Sequence, residues 1–153
     1  MSSLASFHLL PLKSLASLLD AASDPTGSRD VLDDSGRSQS PFEYSGDAFL
    51  WLDMLLSEQH GFGLFGLGTE PHSSRLSELR ESVVVVFDAE GAARACARLK
   101  EATLTGADAE AFLRSEFGDE APSLVTPLLA ARIQAIDWLE SVGAKKLGVL
   151  ELG

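Results

Sequence analysis

Residues 83–101 read VVVVFDAEGAARACARLKE, and the reading of this stretch decides the fold. Four valines and a phenylalanine in a row favour extended backbone, because β-branched side chains lose χ1 freedom in a helix. No polar residue alternates with them, so Val83–Phe87 predicts a strand buried on both faces. Asp88 then offers a carboxylate to cap a helix over about Ala89–Ala102. In that helix Glu90 and Arg94 stand four apart, the spacing of a favourable ion pair. A strand running straight into a helix suits two fold classes. With a phosphate-binding glycine loop and an earlier strand before it, the unit is half of a dinucleotide-binding α/β fold. Without them, it belongs to an α+β domain.

The segment upstream settles the choice. HGFGLFGLGTEPH, residues 60–72, contains Gly61, Gly63 and Gly66 in a G-x-G-x-x-G spacing, and Asp88 lies 22 residues beyond Gly66. A dinucleotide fingerprint must follow a strand directly and open a helix, so that helix N-terminal amides meet the pyrophosphate. The segment before it is helical instead: Ala48, Phe49, Leu52, Leu55 and Leu56 share one face, and Asp47 is a plausible N-cap. Trp51 lies at the margin of that face, while Leu50 and Met54 fall opposite, as in a helix buried nearly all round. Ser57-Glu58-Gln59-His60 then leave no strand to precede Gly61. Ser73–Glu81 has room for only one or two helical turns, and no Gly-Lys-Ser/Thr signature of a P-loop is present. The stretch reads as a bending connection with Phe62, Leu64, Phe65 and Leu67 turned inward.

Further outward, Ser6–Leu10 predicts a short strand. Leu12, Leu15, Leu19 and Ala22 then recur at helical spacing in a helix opened by Pro11. Residues 23–46 read as a loop, and Asp20–Asp47 holds seven acids against two arginines. Downstream, Thr105 and Asp108 have the spacing of a capping box for a helix from about Gly106 to Phe117, with Gly118 as its stop. A long helix follows from Ser123 or Thr126, with Pro127 in its first turn, to Val142. Gln134, Asp137, Glu140 and Ser141 form its narrow polar strip. Leu128, Leu129, Ile133, Ile136, Trp138 and Leu139 cover the rest. Lys145-Lys146 marks a turn, and Leu147–Leu152 predicts a last strand lying beside Val83–Phe87. The expected architecture is a single α+β domain over 1–153, with four to five helices packed on a small sheet that includes Val83–Phe87 and Leu147–Leu152.

The balance of 23 acidic and 12 basic residues gives a formal charge of −11. Such a surface repels phosphates, which argues against nucleic-acid binding. Cys96 is the only cysteine, so neither an internal disulfide nor a thiolate metal cluster can form. That usage, the lack of a basic N-terminal region ahead of Pro11 and Lys13, and the absence of a long apolar run predict a cytoplasmic protein with no membrane segment. No G-x-S-x-G is present, and no cofactor is implied. Two groups of residues remain as candidates. Asp30, Asp33, Asp34, Glu43, Tyr44 and Asp47, in and beside the acidic loop, suit the docking of a basic protein partner, as in an immunity-type inhibitor. Asp53, His60 and His72 could instead hold a metal or small ligand at the glycine stretch and support hydrolysis, although the histidines are far from the tight spacing of helical zinc motifs.

The order of elements also resembles the YfbM-like family of small bacterial proteins. The resemblance rests on a strand and Leu-rich helix, an acidic linker, AFLWLDMLLSE and a glycine-containing connection. VVVVFDAEGAARACARLKEATLTGADAEAFLRSEF and the closing GAKKLGVLEL are similar too. It covers most of the chain at the level of layout. Family members carry Lys-x-Trp and a histidine on the helix before Leu-Leu-Thr-Gly. The corresponding positions here are Asp47, Phe49 and Asp53, before Leu55-Leu56-Ser57-Glu58. The resemblance therefore implies a fold more than an activity.

Overall fold

A computed structural model describes residues 4–14, 16, 37–38, 42–69, 73, 77–78 and 82–153. The chain is α+β. Strand β1 (Ala5–Pro11) is followed by a 3-10 turn at Leu12–Ser14 and a two-residue strand, β2 (Arg37–Ser38). Helix α1 (Asp47–His60) precedes strand β3 (Val83–Asp88), which runs directly into helix α2 (Ala89–Glu101). Helices α3 (Gly106–Phe117) and α4 (Ala121–Glu140) lead to the last strand, β4 (Lys146–Leu152). The sheet order is β2-β1-β4-β3, antiparallel throughout, so β4 lies between β1 and β3. The expected pairing of Val83–Phe87 with Leu147–Leu152 is present, with Val85 opposite Leu150.

Register sorts the strand residues into two faces, because alternate side chains point to opposite sides. Phe7, Val85, Phe87, Leu150 and Leu152 face the main core. On the opposite face Leu10, Val84, Val86, Leu147 and Val149 are buried as well. The unbroken valine run is therefore covered on both sides, as its sequence predicts. Trp138 ties the layers together: its ring stacks with Phe7 of β1 at 5.4 Å and with Phe49 of α1 at 5.5 Å.

Among the described residues the helical layer on the sheet is smaller than expected: α2 packs on β3 and β4, α4 reaches β1 through Trp138, and α1 and α3 pack on α4. The four to five sheet-packed helices anticipated from periodicity are thus not met, because periodicity reports an apolar stripe and not what it lies against. Of the helix expected over residues 11–22, only the Leu12–Ser14 turn and Ala16 lie within the described residues.

Helix ends follow local chemistry in most places. Asp88 Oδ1 accepts the Gly91 N–H at 2.7 Å, capping α2. Thr105 and Asp108 form the reciprocal capping box of α3, at 3.1 and 3.3 Å. Two expectations fail. Asp47 is the first helical residue of α1 rather than its cap; Gly46 takes the cap position without a side-chain bond. Helix α4 starts at Ala121, with Pro122 in its first turn and Pro127 inside it. The four-apart ion pair also forms elsewhere than expected, between Glu110 and Arg114 of α3 at 2.6 Å.

The outer edge of β3 is closed by hydroxyls. Ser77 Oγ accepts the Val84 N–H at 2.9 Å and donates to the Val84 carbonyl at 2.8 Å. Ser73 Oγ accepts the Val86 N–H at 2.8 Å, and Thr69 Oγ1 accepts that of Asp88 at 3.1 Å. Gly68 lies so close that an added Cβ would sit 2.5 Å from Val85 Cγ1 and 2.7 Å from Ser73 Oγ.

Candidate functional site

The glycine stretch leaves α1 in the way a connection does. Gly61 ends the helix at φ 76°, a left-handed conformation that costs glycine little. The half-buried Asp53 Oδ1 accepts the Phe65 N–H at 3.0 Å. Gly63 comes so close that a Cβ there would lie 2.6 Å from Asp53 Oδ1 and 2.9 Å from Ser57 Oγ. The carboxylate therefore serves as an acceptor that folds residues 61–65 back onto α1. Phe62 completes the packing under the Arg98 guanidinium, 4.2 Å from its ring centre.

His60 lies seven residues beyond Asp53 on the same helix, a rise of about 10 Å, and its ring faces Phe62. His72 lies outside the described residues, as do Asp30, Asp33 and Asp34. Among the described residues no group of three His, Cys, Asp or Glu side chains converges as a metal site would require. Asp53 and His60 are thus placed by the structure on one helix without being brought to one point.

Glu43 and Tyr44 do reach a concave surface. With Phe42 they form one wall of a groove of about 390 Å³, and Ala130, Ile133, Gln134 and Asp137 of α4 form the other. Phe42 anchors the first wall, with its edge on Phe49 at 4.7 Å and on Tyr44 at 5.7 Å. The second wall exists because α4 turns its polar strip, Gln134 and Asp137, toward this side. Ile133 stands beside that strip with 66% of its surface exposed, and Tyr44 is exposed too. Ile133 was expected to be covered; the sequence assigns it to the apolar face, and only its position one residue before Gln134 hints otherwise. Asp47 does not line the groove. Its backbone N–H bonds Ser45 Oγ at 3.2 Å in the first turn of α1.

Two carboxylates, an amide and a tyrosine hydroxyl around an apolar floor make an acceptor-rich surface. It suits a lysine or arginine side chain whose methylenes cover Ile133 and Phe42 while its charge meets Glu43 or Asp137. Tyr44 adds a ring face on which a cation can rest.

A second concavity, of about 480 Å³, lies where α2 meets the end of α4 and contains Cys96, Lys100 and Glu140. Lys100 Nζ is 2.8 Å from Glu140 Oε1, and the Cys96 thiol faces the same oxygen at 4.0 Å. Burial pushes the Cys96 thiol above its ordinary pKa, against the pull of Lys100. The thiol stays protonated at neutral pH, the opposite of what a nucleophile needs. The Glu140 carboxylate likewise raises the pKa of Lys100. No helix among the described residues is long and apolar enough to cross a membrane. None of the protein-family models, curated proteins or solved structures compared with this chain matches it.

Proposed function

We propose that the protein is a non-catalytic binding module whose groove between Phe42–Tyr44 and α4 receives a basic, partly apolar segment of a partner protein. The observation that carries this is the exposure of Ile133 in a groove whose two walls each bear a carboxylate, Glu43 and Asp137. An isolated apolar side chain on a surface needs no explanation, but one set in a groove rimmed by Glu43, Gln134 and Asp137 has the anatomy of an interface core with a polar rim. The charge of −11 supports a basic partner, drawn in by long-range attraction and held in register by the rim. An immunity-type inhibitor, which occupies a basic partner and performs no chemistry, fits this arrangement. The alternative, a metal or small-molecule site at residues 60–72, loses support from the engagement of Asp53 with the loop backbone.

Selection from a displayed library of short random peptides tests the reading. Enriched sequences should place lysine or arginine beside an aliphatic residue. Their binding should weaken with salt, and Ile133→Ser and Asp137→Asn should each lower it about tenfold, the effect of losing one anchor. Enrichment of neutral or acidic peptides, or binding indifferent to both substitutions, would count against it.

A further inference from the structure

The end of the sheet where β1 finishes and β4 begins carries the opposite charge. Pro11 pairs with Lys146 in the β1–β4 ladder, and the Leu12 N–H donates to the Lys145 carbonyl at 2.9 Å. These two ties gather Lys13, Lys145 and Lys146 at one place. Among the described residues, Pro11, Leu12, Lys13 and Lys145 line a concavity of about 590 Å³ there. Leu12 leaves 49% of its surface exposed.

The backbone at Lys145 is unusual. The Lys146 N–H donates to the Gly143 carbonyl at 3.2 Å, closing a four-residue turn. Lys145, its third residue, has φ 63°, and among the described residues no other side-chain-bearing residue has a positive φ. A positive φ at that position alone is the pattern of a type II turn, where glycine is favoured. The turn does contain a glycine, Gly143, but two positions too early to relieve it. A lysine held in a strained conformation points to a use for its charge.

We propose that this end of the sheet docks an acidic segment of a partner protein that carries one bulky apolar side chain. The apolar group covers Pro11 and Leu12, and its neighbouring carboxylates lie between Lys13 and Lys145, with Lys146 at the rim. In a chain of net charge −11 an acidic partner is repelled from most of the surface. Three clustered lysines therefore fix where and in which orientation it can approach. The proposal does not depend on the groove beside Ile133, which has other residues and the other sign of charge.

The test uses the full chain and a fluorescent acidic peptide with one central phenylalanine, followed by anisotropy. Saturable binding is expected, reduced about tenfold by Lys145→Gly and by Lys13→Ala. Lys145→Gly also relieves the turn, so its thermal midpoint should stay the same or rise, which separates lost binding from lost folding. Three results would overturn the proposal: no saturable binding, binding unaffected by Lys145→Gly, or equal binding of a peptide with alanine in place of phenylalanine. Competition by inorganic phosphate as effective as unlabelled peptide would overturn it too, by showing a general anion site.

Discussion

Asp53 shows what a residue's sequence context reveals and what it hides. A carboxylate on an otherwise apolar helix is visible in the sequence, and so is the demand that it find a partner. The partner is not visible. It is the Phe65 backbone N–H, twelve residues on, reached only because Gly63 lets the chain pass against the helix. Cys96 was more legible: flanked by alanines, it reads as a small core residue, and it is buried. Its raised pKa has a consequence for stability. Because the folded thiol holds its proton more tightly than the unfolded one, its contribution is complete below about pH 8.5 and is lost as pH rises through the folded value. Lys100, also raised, acts in the same direction. The urea midpoint should therefore fall as pH is raised from about 8 to about 10.5, and fall less steeply in Cys96→Ala. Identical alkaline limbs for the two proteins would show that burial leaves the thiol unperturbed.

At the scale of elements, three strands and the caps of α2 and α3 were written plainly; the Asp47 cap, the short β2 strand within the segment read as a loop, and the edge of the sheet were not. Val83–Phe87, Asp88 as a cap and the Thr105–Asp108 box depend on neighbours within a few residues, which local sequence reports well. The long helix began a turn earlier than Pro127 suggested, because Pro122 takes the first-turn position that a proline tolerates. The hydroxyl closure of β3 follows the pleat, in which every second residue turns its N–H to the same edge. Ser77, Ser73 and Thr69 meet Val84, Val86 and Asp88 in turn. Thr69, Ser73 and Ser77 are regularly spaced in the sequence, but nothing local says that a strand edge awaits them. Ser73→Ala leaves the buried Val86 N–H without its acceptor, at a cost of about 1–3 kcal/mol. Hydrogen exchange should show that amide losing protection, and the uncovered edge should make the variant prone to associate on warming. Unchanged exchange at Val86 would mean another acceptor replaces the serine.

For the whole molecule, the α+β class and the β3–β4 pairing were legible because both follow from which segments are apolar on all sides. The groove was not, since it joins residues 42–44 to α4 across most of the chain, and neither wall has a motif of its own. The lysine-bearing end of the sheet was not legible either, because the net charge of −11 averages it away. The position of β4 also sets the order of events in folding. The middle of the sheet is contributed by residues 146–152, and Ala5 must wait for Leu152, almost the full chain away. Helices α2, α3 and α4 are near neighbours in sequence and can form and dock early, whereas ring closure over such a distance is slow. The rate-limiting step should therefore be the insertion of β4 between β1 and β3, neither of which neighbours the other in the sheet. In a chevron experiment Ala109→Gly in α3 should slow folding by most of its loss in stability, while Val149→Ala in the late-joining β4 should act more on unfolding. The reverse pattern would place the sheet before the helices. A nascent chain of this protein, on that basis, holds its helices beside a half-built sheet with an open slot until residues 146–152 have left the ribosome.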